Sequence, residues 1–167
     1  MLKRRNKKGS LQDMLFVAAV LLATGMMILL GFKFMTELNT AIQDHDMVDA
    51  QGKASTLQLK NYYPGVIDNS FLLLAIGLCI VTIILAALVR VSPIFLALYI
   101  IALTFVIFIC GAMSNIYQEM AANPQLVAEA AQLVFISNVL TYLPLIVGVV
   151  GSLLAIIMYK SWSNATL

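Results

Sequence analysis

The sequence predicts an all-α integral membrane protein: a four-transmembrane-helix bundle with cytoplasmic N- and C-termini and an outer amphipathic helix before the last span. Three observations carry that prediction. Four apolar runs, at 14–32, 71–89, 94–113 and 139–159, are each 19 to 21 residues long. At a helical rise of about 1.5 Å per residue, each reaches about 30 Å, the thickness of a bilayer's hydrocarbon core. Composition agrees, with 62% hydrophobic residues, 11% charged residues and a mean hydropathy of +0.96, where soluble domains carry about 25% charged residues. Charge is also unevenly placed. If the runs alternate across a membrane, seven of the ten Lys and Arg residues (Lys3, Arg4, Arg5, Lys7, Lys8, Arg90 and Lys160) share one side, and Lys33, Lys53 and Lys60 the other. The positive-inside rule makes the first side cytoplasmic.

These runs divide a single membrane domain, 1–167, into TM1 (14–35), an outer loop (36–70), TM2 (71–89), TM3 (94–114), an outer amphipathic segment (123–137), TM4 (138–159) and a cytoplasmic tail (160–167). The polar remainder is too short for a separate globular domain of ordinary size.

The basic head before TM1 precedes an apolar run longer than the 7–15 residues typical of a signal-peptide core, and no small-x-small cleavage site follows it. It reads as a retained signal anchor. Lys7-Lys8-Gly9-Ser10, followed by Leu11-Gln12-Asp13 and an apolar run, resembles the leader of class III prepilins. In that family a peptidase cuts after the glycine, and an acidic residue stands at the fifth mature position. Here Asp13 is fourth and Met14 fifth, and the chain has four apolar runs where pilins have one. The head is therefore read as a juxtamembrane anchor that holds anionic lipid.

TM1 carries Ala18, Ala19, Ala23, Gly25 and Gly31, small residues that let helices approach closely, with Met26 and Met27 as gap fillers. Lys33, at its outer end, is expected to snorkel toward the headgroups.

The outer loop is polar and is punctuated by Gly52, Pro64 and Gly65. TM1 is expected to continue through Thr36–Ile42 until the acidic stretch Asp44-His45-Asp46-Met47-Val48-Asp49 breaks it. The alternation Thr56-Leu57-Gln58-Leu59-Lys60 suggests extended chain, and Tyr62 and Tyr63 mark the membrane interface. Asp44, His45, Asp46 and Asp49 form the one cluster with metal-ligand chemistry. It lacks a second His or Cys and matches no calcium loop, so it reads as a solvated acidic loop.

Arg90-Val91-Ser92-Pro93 is short enough to make TM2 and TM3 antiparallel neighbours, with Pro93 in the first turn of TM3, where its missing N–H costs nothing. No Asp, Glu, His, Lys or Arg lies in the central part of any run, which disfavours proton-coupled transport. Thr24, Thr82, Thr104, Thr141 and Ser152 are expected to bond their own preceding turns. Cys79 and Cys110 fall at different depths inside apolar runs and read as small buried hydrophobes rather than a disulfide.

Asn123-Pro124 is a helix start, with Asn as cap and Pro at the first helical position. Leu126, Val127, Ala130, Leu133 and Val134 then recur at helical spacing, which predicts an amphipathic helix at the outer surface. Pro144 is expected to kink TM4. Gly148, Ser152 and Ala155 make a small-residue stripe, and Tyr159 and Trp162 anchor the cytoplasmic end. Asn164-Ala165-Thr166 has the form of a glycosylation acceptor but falls on the cytoplasmic side, out of reach of that machinery.

The sequence offers no catalytic, cofactor-binding or metal-binding residue. It carries no phosphate loop, no nucleophile with a base and no nucleic-acid signature. The expected function is therefore non-enzymatic: a structural or accessory subunit of a larger membrane assembly, or a viral or virion-membrane component. The alternatives are a holin-like pore former and, behind it, a small transporter. The expected partners are the lipid bilayer and proteins within it, as a homo- or hetero-oligomer. The expected location is the plasma or inner membrane, or that of a virion.

Overall fold

The computed structural model describes residues 10–45, 48–87 and 93–163. Among the described residues there is no strand. The helices are α1 (Ser10–Asp44), α2 (Ala50–Ala87), α3 (Pro93–Ala121), α4 (Val127–Ala130), α5 (Val134–Thr141) and α6 (Leu143–Ser163). Of these, α1, α2, α3 and α6 are long and apolar enough to cross a membrane, and only 22–28% of each candidate span is buried within the protein. Met27, Leu73 and Phe108 are each more than 70% exposed. Such a surface is unfavourable in water and natural in lipid. The protein is therefore a multi-pass membrane protein.

Helix lengths depart from the expected layout. With 35 residues in α1 and 38 in α2, these helices run about 52 and 57 Å, far beyond the hydrocarbon core. Most of the expected outer loop at 36–70 is in fact helix: α1 runs to Asp44 and α2 starts at Ala50. The alternation at 56–60 covers only five residues, whereas a wholly or partly buried face recurs at helical spacing through Lys53, Thr56, Lys60, Tyr63, Ile67 and Phe71. That longer period decides the local structure. Gly52 lies in the first turn of α2, where its N–H donates to Asp49 Oδ1 at 2.9 Å, and Pro64 is accommodated within the helix. TM1 and TM3 lie inside α1 and α3, and TM2 inside α2 as far as Ala87. The 90–92 part of the connection to TM3 lies outside the described residues, as do the basic head and Asn164.

The outer amphipathic segment also differs. Asn123 does start a turn: its Oδ1 accepts from Gln125 N at 2.9 Å, and its carbonyl accepts from Leu126 N and Val127 N at 2.8 and 2.9 Å. The helix expected there, however, is split into the single turn of α4 and the two turns of α5. The last span begins at Leu143 rather than 138, because the chain breaks at Tyr142. Pro144 explains the break. In a continuous helix its ring would meet the carbonyl of Leu140 and its missing N–H would leave that carbonyl unbonded. In the first turn of α6 neither cost arises.

Two compact units share these helices. One comprises residues up to 20, 76–114 and 142 onward. In it α3 lies against α6. A Cβ on Gly151 would press on Leu103, and one on Gly148 would come to 3.6 Å from Ile107. The buried Tyr99 donates its hydroxyl to Gly151 O at 3.1 Å, with Met14 Sδ at 3.6 Å. A phenol inside an apolar bundle needs such an acceptor. The other unit comprises 21–75 and 115–141 and has Leu29, Phe32, Leu133, Ile136 and Leu140 fully buried at its centre. In that unit α1 approaches α5 so closely at Gly25 that a Cβ there would stand 2.5 Å from Leu140 Cδ1. Phe32 of α1 stacks on Tyr63 of α2, ring centroids 5.4 Å apart.

Candidate functional site

The second unit contains the buried charges of the described residues, Asp68 and Glu129, at 5% and 4% exposure. Each ties the 115–141 segment to a long helix. The first N–H groups of a helix have no partner within it, and α5 follows Leu133, which has no side-chain acceptor. Asp68 of α2 supplies one from 67 residues away: Oδ2 accepts from Phe135 N and Oδ1 from Ile136 N, both at 2.8 Å. The carboxylate thus caps another element's N-terminus, where the helix dipole also favours an anion.

Glu129 of α4 lies 3.6 Å from Lys33 Nζ, which is also 3.5 Å from Glu37 one turn along α1. Lys33 was expected to snorkel; instead it compensates a buried carboxylate, which would be costly to leave unpaired. Tyr117 of α3 and Ser137 of α5 meet at 2.9 Å between hydroxyls, and Ser137 Oγ is 3.0 Å from Ala130 O. Serine has one proton and the carbonyl can only accept, so Ser137 donates to Ala130 and Tyr117 donates to Ser137. The three contacts join α1, α2 and α3 to the α4–α5 segment.

Outward of this network, α1 and α2 are clasped by reciprocal bonds near their connection. Lys53 Nζ donates to Gln43 O at 2.7 Å and Gln43 Nε2 to Lys53 O at 2.8 Å. A cation on a last-turn carbonyl suits the C-terminus of α1. Of the acidic cluster read from the sequence, Asp44 and His45 are exposed at the end of α1 and Asp49 caps α2. Asp46 lies outside the described residues. Among the described residues no group of three or more His, Cys, Asp or Glu side chains is placed to hold a metal. Cys79 and Cys110 are free thiols.

The outer face of this unit is apolar where a solvated helix would be charged. Leu57, Leu59, Tyr62 and Val66 of α2 are 45–62% exposed, and Leu38 of α1 is 40% exposed. A shallow recess of about 170 Å³ is lined by Leu59, Tyr62, Tyr63, Val66 and Ile67. Sequence reading missed these features because the cap and the ion pair join residues far apart in the chain. The exposed stripe was hidden by the assignment of 36–70 to a loop. No family model, curated protein or solved structure matches this chain.

Proposed function

We propose that this protein is a non-catalytic accessory or structural subunit of a membrane assembly, making its contacts through the outer parts of α1 and α2. The observation that carries this reading is the exposed apolar face at Leu38, Leu57, Leu59, Tyr62 and Val66. It lies on helix that continues past the apolar runs at 14–32 and 71–89. Exposed apolar surface marks contact with protein or with membrane, and we read this face as a protein contact. The buried polar groups support the same reading. Asp68, Glu129, Tyr117 and Tyr99 are each engaged with backbone or with a partner side chain, and engaged groups are poorly placed to serve a substrate. The excess of Lys and Arg beside one end of the spans supports a cytoplasmic head and tail, with the α1–α2 connection outside. The membrane is the plasma or inner membrane, or that of a virion.

Cross-linking in native membranes, followed by purification in mild detergent and mass spectrometry, tests the proposal. The expected result is a defined complex whose cross-links map to residues 36–70. A monodisperse monomer free of any partner would sink it.

A further inference from the structure

Two contacts set how the outer parts of α1 and α2 face each other: the stack of Phe32 on Tyr63 and the reciprocal bonds between Gln43 and Lys53. Their register places Thr36 level with Lys60 and Asn39 level with Thr56, all four buried or half-buried. Between stack and clasp, the hairpin thus has a polar seam. Its side chains bond along their own helices. Thr56 Oγ1 lies 3.0 Å from Lys53 O and 3.2 Å from Gly52 O, and Gln43 Nε2 lies 3.5 Å from Asn39 Oδ1. Thr36 Oγ1 is buried without a hydrogen-bond partner. Such a seam buries little apolar surface, so the attachment of α2 to α1 here depends on the clasp and one ring stack.

Past residue 65, α2 is held more firmly. Asp68 accepts from two amides of α5, and Phe71 and Ala75 are buried. Pro64 and Gly65 stand between the two regimes. Pro64 has no N–H to offer the carbonyl of Lys60 one turn earlier. Gly65 has nothing within 4 Å of a Cβ, so no packing stiffens the helix at that point. Proline and glycine are the two residues that most weaken a helix interior, and here they are adjacent. An open recess lined by Leu59 and Tyr62 on one side of the pair and Val66 and Ile67 on the other leaves room for a bend.

We propose that residues 50–63 form a hinged arm. α2 bends at Pro64–Gly65, and the arm leaves α1 in a single step when the Lys53–Gln43 clasp opens. Fraying from the start of α2 would loosen each turn in succession. A weak point at the near end and a clasp at the far end instead release about four turns together. Opening bares Phe32 and Asn39, both buried in the closed hairpin, and carries Leu57, Leu59 and Tyr62 away with the arm. The hinge belongs to the chain itself and stands whether or not that apolar face meets a protein.

Pulsed electron–electron resonance on full-length protein in nanodiscs tests this, with Cys79→Ala to remove the half-buried thiol. One pair of spin labels, at Thr40→Cys and Ser55→Cys, spans α1 and the arm; a second, at Leu30→Cys and Val66→Cys, spans α1 and the far side of the hinge. All four positions are exposed. The 40/55 pair should give two distances, closed and open, and the 30/66 pair one. Lys53→Met keeps the stem but removes a charge-assisted bond, so it should raise the ratio of open to closed by about tenfold. Pro64→Ala returns a bond to Lys60 O and should lower that ratio by at least about threefold. The 30/66 distance should stay fixed in both variants, which also reports that they fold. A single 40/55 distance in all three proteins would overturn the hinge. So would a 30/66 distance that moves with 40/55, since the helices would then part along their whole length, or an open fraction indifferent to Pro64→Ala. Failure to find a protein partner in native membranes would remove the assembly reading and leave the hinge untouched.

Discussion

Removing the Asp68 carboxylate should loosen α5 selectively. In the native protein its two oxygens hold Phe135 N and Ile136 N at 2.8 Å, with the side chain nearly excluded from solvent. Losing an N-cap acceptor costs about 0.5–2 kcal/mol, and a buried donor left without a partner costs about 1–3 kcal/mol. Asp68→Ala strips both amides, and water can reach the exposed side of Phe135 more readily than Ile136, which is fully buried. We therefore expect a total of about 2–4 kcal/mol, below the sum of the separate maxima because one amide is partly rescued. Asp68→Asn keeps one acceptor oxygen, so about 1–2 kcal/mol is expected. The assay is reversible unfolding in mixed detergent micelles together with hydrogen exchange of the 134–141 amides. Stability should fall in the order wild type, Asn, Ala, with exchange rising first at Phe135 and Ile136. Asp44→Asn, an exposed carboxylate at the C-terminal end of α1, should leave stability unchanged or slightly raised, since it removes an anion from the unfavourable end of a helix dipole. If Asp68→Ala stays within about 0.5 kcal/mol of wild type, the span of ordinary surface changes, and exchange in α5 does not move, the capping argument is refuted.

Lys33→Met should destabilise by about 2–4 kcal/mol, because it strands the buried Glu129; Lys33→Met with Glu129→Gln should recover most of the loss in the same unfolding assay, and a double variant as poor as the single one would contradict the pairing. Gly25→Ala should cost about 1–3 kcal/mol through overpacking against Leu140, whereas Gly77→Ala, with nothing within 4 Å of its Cβ, should be neutral or gain up to about 1 kcal/mol from helix propensity. Thr36 Oγ1 is buried without a hydrogen-bond partner, so Thr36→Val should be neutral or stabilising by about 1 kcal/mol, and a marked loss would mean that the hydroxyl has a partner after all. In right-side-out vesicles an impermeant maleimide should label Asp44→Cys without permeabilisation and Lys160→Cys only after it; the opposite pattern would invert the topology.

The four spans are legible in the sequence because lipid imposes one demand, some twenty consecutive apolar residues with every backbone group bonded inside the helix, and that demand is local. The start at Asn123 and the disruption at Pro144 are legible for the same reason, since both act on their own turn. The continuation of α1 and α2 past the apolar runs is much harder to read. The inward face of α2 there is carried by Lys53, Thr56, Lys60 and Tyr63, side chains that bury their stems or one ring face while counting as polar in any hydrophobic pattern. The polar network is harder still. Asp68 lies 67 residues from the amide it caps, and Glu129 lies 96 residues from Lys33. No periodicity relates such pairs, and the sequence presents them only as an acidic residue before a span and a lysine after one.

Among the described residues, buried charge falls in one of the two units. In the unit built from residues up to 20, 76–114 and 142 onward, the described buried polar side chains are neutral: Thr82, Ser114 and Tyr99. Thr82 and Tyr99 donate to carbonyls in the protein, Leu78 O at 2.7 Å and Gly151 O at 3.1 Å. A hydroxyl settled this way can remain in hydrocarbon at little cost, whereas a carboxylate cannot. The unit with Asp68 and Glu129 includes the helix that outruns the apolar segments, and there each carboxylate is matched by amides or by Lys33. Such pairs add little stability over a well-packed apolar core, yet they penalise any arrangement that separates them. Their value here is positional. They hold the short α4 and α5 against α1 and α2, with Lys33 of α1 fixing Glu129 of α4 and Asp68 of α2 fixing the first amides of α5.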